Sequence, residues 1–243
     1  MKHRDKARRM WVVGLCALIT VAYATRSPNR TKAGPFLVIT PQRSGSTYLM
    51  SLLRSIQRQG APMQTVISEP VGQLLRDYTW EQVSKMQYDE FHGLLNKAFE
   101  RFSNCESCGF KVMYNQIPGS RSAPTPLTHA LLKNFQGKIV HLIRRSHVRK
   151  VLSVMRMSTG KAHYRGDEEQ SIDKLTVDTR RFVGSVRESL RVSVVFRFDF
   201  RKHANHLHEV YYEDLLKGDT AFVELLRYLD PNLLGYQATT DIK

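Results

Sequence analysis

The sequence has only three cysteines among its 243 residues, too few to staple a small scaffold with disulfides. It has no fixed repeat period, which excludes solenoids and propellers. Nine prolines and fourteen glycines are far from a collagen or low-complexity composition. Acidic residues are scarce relative to basic ones, 22 against 37, for a net charge of +15. No uncharged run reaches the roughly 20 residues of a full membrane span; Trp11–Ala24 comes nearest. What is present is an ordinary globular balance, 42% hydrophobic and 24% charged, which excludes a wholly disordered chain. The length predicts one to two domains, and the positive charge predicts an anionic partner.

Much of that charge sits in residues 1–32, where eight lysines and arginines face only Asp5. The segment reads basic, apolar, then polar. We expect a cytosolic basic tail over 1–10, a signal-anchor or cleavable signal peptide over 11–25, and a stem over 26–35. Ala22-Tyr23-Ala24 fits a signal-peptidase site, whereas a short span suits the thin membranes of the early secretory pathway. Either way the body enters the secretory lumen, and Asn29-Arg30-Thr31 fits a lumenal glycosylation site. In that compartment Cys105-Glu106-Ser107-Cys108 predicts a small disulfide, with two free thiols as the alternative.

Residues 36–243 form the expected folded domain. Phe36–Thr40 is a continuous apolar run between prolines, the pattern of a strand buried on both faces. Further strands are expected at Met63–Ile67, Gly109–Tyr114, Lys138–Ile143 and Glu209–Tyr212. Between them lie helical periodicities: Ser46 to Gly60, 71–102 with a break near Tyr78, and Pro126–Phe135. Others start near Val148, span 172–202, and cover Phe222–Leu229. The alternation predicts an α/β fold: a P-loop-like central parallel sheet of about five strands flanked by helices. In such sheets ligands bind at the carboxyl ends of the strands, so the loops after Thr40 and Ile143 are where chemistry is expected.

The first of these loops is Pro41-Gln42-Arg43-Ser44-Gly45-Ser46-Thr47. Gly45 permits a tight turn, Ser44, Ser46 and Thr47 offer hydroxyls, and the helix N-terminus offers open N–H groups. With Arg43 these form an anion cradle suited to a phosphate. An ordinary capped helix needs only one hydroxyl. The G-x-x-x-x-G-K-[ST] pattern of nucleotide triphosphatases is absent.

Strand–Pro-x-Arg-Ser-Gly-Ser-Thr–helix resembles the 5′-phosphosulfate loop of sulfotransferases that use 3′-phosphoadenosine 5′-phosphosulfate (PAPS). About 100 residues on, His141-Leu142-Ile143-Arg144-Arg145 followed by Ser153 resembles the family's 3′-phosphate element, an arginine at a strand end with a serine eight residues later. The likeness is to nodulation-factor and sulfolipid-type sulfotransferases, and more loosely to Golgi carbohydrate enzymes. Gly109-Phe110-Lys111 and Tyr212-Glu213-Asp214-Leu215 also resemble family landmarks. Two departures stand out: Arg43 replaces the family lysine, and Ser146-His147 replaces the proline after the arginine.

The resemblance implies a PAPS-dependent enzyme that transfers sulfonate to a hydroxyl, on a carbohydrate, in the Golgi lumen. Arg43, Ser44, Gly45, Ser46, Thr47, Arg145 and Ser153 would bind the donor. Arg43 would also stabilise the leaving oxygen, and Glu69 would be the general base, with His163 as rival. Lys111 would face the sulfonate or an acidic acceptor. The basic 144–202 region predicts either a groove for an acidic chain or a solvated helix face. No metal is implied, because His203, His206 and His208 lack completing ligands, and no nucleic-acid motif is present. The alternative is a catalytically weak relative that binds an anionic glycan.

Overall fold

A computed structural model describes residues 34–66, 70–100, 107–158 and 176–237. The expected tail, anchor and most of the stem, and Glu69, Cys105 and His163, lie outside the described residues. No described helix is long and apolar enough to cross a membrane.

The architecture is α/β, as the alternation predicts. Five strands form one all-parallel sheet: β1 (Phe36–Thr40), β2 (Met63–Val66), β3 (Ser107–Met113), β4 (Lys138–Ile143) and β5 (Leu207–Tyr211). Their spatial order is β2-β3-β1-β4-β5. β1 is central, with Val38 beside Lys111 on one side and Val140 on the other. All five of its residues are fully buried. Each such aliphatic or aromatic side chain contributes about 1.5–3 kcal/mol of burial energy.

The helices are α1 (Ser46–Arg58), α2 (Pro70–Leu74), α3 (Trp80–Lys85), α4 (Tyr88–Phe99), α5 (Pro126–Asn134) and α6 (His147–Ser158). They continue with α7 (Thr179–His203), α8 (Tyr212–Lys217) and α9 (Asp219–Leu229). Strand alternation sorts β1 between two cores. Leu37 and Ile39 pack with Phe110, Val112, Leu94, Leu131 and Phe196. Phe36 and Val38 pack on the other face with Leu49, Leu53, Val140 and Leu225. Gly109 belongs to this fit, because a Cβ there would fall 2.5 Å from the Phe36 ring.

Several boundaries differ from the sequence reading. The 71–102 stretch breaks twice, at Tyr78 and again at Met86–Gln87. Thr79 caps α3 through a reciprocal bond with Gln82, so side-chain capping restarts the helix there. β5 begins two residues early, at Leu207, and Tyr212 opens α8 instead of ending the strand.

The order places a topological switch at β1 and β4. The chain leaves β1 toward α1 on one face of the sheet. It leaves β4 toward α6 and α7, and Phe196 and Phe200 of α7 belong to the opposite core. The crevice between the carboxyl ends of these two strands is where open parallel sheets bind ligands.

Candidate functional site

The loop from Pro41 to Gly45 is built to hold an unusual backbone. Arg43 has φ 58° and Gly45 φ 87°, both left-handed. Gly45 adopts this without cost, but Arg43 pays about 1–2 kcal/mol for its Cβ. Two contacts hold Arg43 there: Arg144 Nη1 donates to its carbonyl at 3.0 Å, and its own Nε donates to Ser153 Oγ at 2.8 Å.

Ser44 is fully buried and does not present its hydroxyl to a ligand. Its Oγ donates to Pro41 O at 2.7 Å and contacts Thr40 Oγ1, closing the loop on itself. The expectation of three hydroxyl donors is therefore corrected: Ser46 and Thr47 follow at the helix start, and Ser44 is the pin. Gly45 is the N-cap of α1 and supplies no side chain, so the N–H groups of Ser46 and Thr47 remain uncapped. This end of α1 carries the partial positive charge expected for an anion cradle.

Tyr212 covers the glycine. A Cβ on Gly45 would sit 2.0 Å from Tyr212 Cδ2. The same ring meets Tyr48 edge-on at 5.9 Å, and the Arg144 guanidinium lies over it at 5.0 Å. Arg144 Nε is buried without a hydrogen-bond partner among the described residues. The basic pair at the end of β4 thus divides, with Arg144 turned to the loop.

Arg145 turns to Asp214. Its Nη1 and Nη2 donate to the two carboxylate oxygens at 2.5 and 2.8 Å, and its guanidinium lies 3.9 Å over Tyr211. The paired guanidinium holds the Asp214 carboxyl below its ordinary range. Glu213 accepts from the Arg145 and Ser146 N–H groups at 3.0 and 2.9 Å, tying down the turn into α6. Burial pushes the Glu213 carboxyl up, but these backbone bonds outweigh it and hold it low.

The structure therefore brings Arg43, Gly45, Ser46, Thr47 and Ser153 together at the switch point, with Arg145 at its edge. Lys111 is buried in mid-strand on the face covered by α1. It is not placed to meet an acceptor from the α6–α7 side.

Beside the loop opens a cleft of about 1010 Å³ between β1, β3, α6 and α7. Pro41 and Gln42 form one wall, Tyr114 and Asn115 another, and Lys150 reaches it from α6. Lys150 is buried, and burial together with nearby Arg144 lowers its ammonium pKa to about 8. The signal for it lay in the sequence: Lys150 sits one turn before Ser153 on the same helix face.

Two other clusters carry titratable groups. His141 is fully buried in β4, contacts Tyr114 Oη through Nε2 at 2.5 Å, and is pushed by burial down to about 3. It is a neutral core histidine. His129 on α5 joins Asp199 and His203 on α7, with ligand atoms within 4.8 Å of one another. The two rings stack at 4.4 Å, and His129 Nε2 lies 2.6 Å from Asp199 Oδ2. The cluster lies in the last turns of α7, which lead to the amino end of β5 and away from the switch point. It takes no part in the site.

The basic groove expected over 144–202 is partly neutralised. Arg197 and Arg201 both bind Glu209, and Arg191 binds Glu188. No family model matches the chain, and no curated protein matches it.

Proposed function

We propose that this protein transfers sulfonate from PAPS to a hydroxyl of an acceptor, a carbohydrate, within the secretory lumen. The observation that carries this reading is the bond from Arg43 to Ser153. It joins the loop after β1 to the helix after β4 at the topological switch, where the reading needs one ligand to meet both.

The residues present suit a doubly phosphorylated donor. The uncapped start of α1, the glycine cradle under Tyr212 and the guanidinium of Arg43 suit the phosphosulfate end. Ser153, with Arg145 once it leaves Asp214, suits the second phosphate. PAPS supplies the sulfonate and departs as the 3′,5′-bisphosphate. Arg43 places a fixed positive charge where negative charge develops as the bridging oxygen leaves. Its side chain is oriented through Nε, while its Nη groups make no hydrogen bond among the described residues. The acceptor oxygen bonds to sulfur as its proton passes to a base, for which Glu69 is proposed and His163 is the rival. The N-terminal segment is proposed as a Golgi anchor of type II orientation.

One observation favours a second reading, a weak relative that binds an anionic glycan without turnover. Arg145 is already engaged by Asp214 and must leave that carboxylate to grip a phosphate.

The test is thermal unfolding of the full chain with adenosine 3′,5′-bisphosphate, against AMP. At 100 times its Kd a native-state ligand adds about 2.7 kcal/mol. A shift with the bisphosphate alone supports the sulfotransferase reading, and transfer of labelled sulfonate from PAPS then identifies the acceptor. No shift with either nucleotide overturns it.

A further inference from the structure

The cleft beside the loop has a charge arrangement of its own. Its wall carries three cations, Lys150, Arg121 and Arg181, and two carboxylates, Asp178 and Glu188. Both carboxylates are committed elsewhere. Asp178 Oδ1 accepts from the Arg181 N–H at 2.8 Å and caps α7. Glu188 accepts twice from Arg191, at 2.8 and 2.7 Å.

The three cations are not so committed. Lys150 is only 9% exposed, yet its ammonium has no hydrogen bond or ion pair among the described residues. Among the described residues, the charge that acts on it is the like charge of Arg144. Arg121 and Arg181 stand exposed at the rim and have no carboxylate partner among the described residues. A buried cation without an anion is costly to keep. Ser153 shares the helix face of Lys150 and binds Arg43, so the ammonium lies on the loop side of the cleft.

We propose that this cleft is an anion-selective acceptor subsite, in which Lys150 binds a carboxylate or sulfate of an acidic saccharide and Arg121 and Arg181 bind further anionic groups at the rim. The subsite rests on the sulfotransferase reading for the word acceptor, but its binding is independent of turnover. It gives that reading a substrate class: a glycan already bearing negative charge. The volume, at the upper end of the roughly 300–1,000 Å³ usual for ligand sites, suits an oligosaccharide. The occupied state gives the buried ammonium a counter-charge that none of the described residues supplies.

The test uses the full chain and three probes: trigalacturonate, sulfated maltotriose and neutral maltotriose, titrated by calorimetry. The two acidic sugars should bind and maltotriose should not; a preference between them tells carboxylate from sulfate recognition. Lys150→Met keeps the aliphatic stem and should weaken the acidic sugars at least tenfold. Should that variant misfold, the exposed pair Arg121→Gln with Arg181→Gln should weaken them severalfold. Affinity should also fall as pH rises through about 8, where Lys150 loses its proton. Equal binding of maltotriose, or unchanged affinity in both sets of variants, overturns the proposal. Adenosine bisphosphate binding is followed in parallel. Lys150-dependent sugar binding without a bisphosphate shift supports the subsite while the transferase reading fails. A bisphosphate shift with no sugar binding overturns the subsite alone.

Discussion

Arg43 Nε donates to Ser153 Oγ at 2.8 Å, although 110 positions separate the two residues. The bond ties the loop after the central strand to the helix after its neighbour. It also orients a guanidinium whose own backbone sits in the left-handed region. Backbone strain of this kind persists where the surroundings impose it, and such positions cluster at functional sites.

Arg43 variants separate the side chain from the backbone. Arg43→Ala should lower turnover by about 100-fold or more, the scale seen when one donor to a developing oxyanion is removed. Arg43→Gly should be as inactive, yet more stable than Arg43→Ala by about 1 kcal/mol, because glycine adopts φ 58° freely. Sulfonate-transfer assays and thermal melts of the pair check this. Equal stability would mean that the left-handed backbone carries no cost.

Gly45→Ala should be destabilised by about 2 kcal/mol or more, through both the left-handed φ and the overlap with Tyr212. Tyr212→Ala in the same chain should recover part of the loss by removing the overlap. Denaturant unfolding of the two single variants and the double variant measures the coupling. Strict additivity would show that the ring is not what excludes a side chain at Gly45.

Asp214→Asn should release Arg145. Because the pair is exposed at the surface, stability should change little. Adenosine 3′,5′-bisphosphate should bind severalfold more tightly, as read by calorimetry. Unchanged affinity would show that Arg145 does not reach the donor.

His141 predicts an acid sensitivity. It is neutral in the fold, with its pKa pushed from 6.5 to about 3 by burial. Between those values the unfolded chain binds a proton that the folded chain refuses. Stability therefore rises with pH across this window and is lost progressively as pH falls from about 6.5 toward 3. Melting temperatures from pH 7.5 to 4.5 should show the loss, and His141→Gln should flatten it. An equally steep profile in the variant would place the acid sensitivity elsewhere.

Glu69→Gln and His163→Ala distinguish the two proposed bases. The true base should lose about 100- to 10,000-fold in turnover with donor binding intact. Comparable activity in both variants would remove both from the reaction.

Much of the fold was legible because burial on both faces leaves a plain record. β1 is a continuous apolar run and β4 a mostly apolar one interrupted by His141, and their predicted bounds match the structure. The loop from Pro41 to Thr47 was legible from its glycine, hydroxyls and position after a buried strand. The second break near Met86 and the start of β5 were less visible. The first depends on a short helix restarted by side-chain capping, and the second lies at the sheet edge, where only Val210 is fully buried. The role of the Ser44 hydroxyl was not legible, because hydroxyl chemistry shows in sequence while its direction does not.

By itself the sequence determined the alternating α/β order, the buried central strand and the glycine-bearing loop, since these follow from local periodicity and backbone freedom. It also showed which residues carry hydrogen-bond donors and positive charge. The tertiary structure alone decided which of them meet. Strand order brought Ser153 to Arg43, and the side chains that follow β4 part, Arg144 to Tyr212 and Arg145 to Asp214. Packing of α6 against α7 buried Lys150 at the wall of the cleft. Neighbouring residues on a chain share composition and periodicity, but the partner each side chain finds depends on long-range contacts that no local pattern encodes.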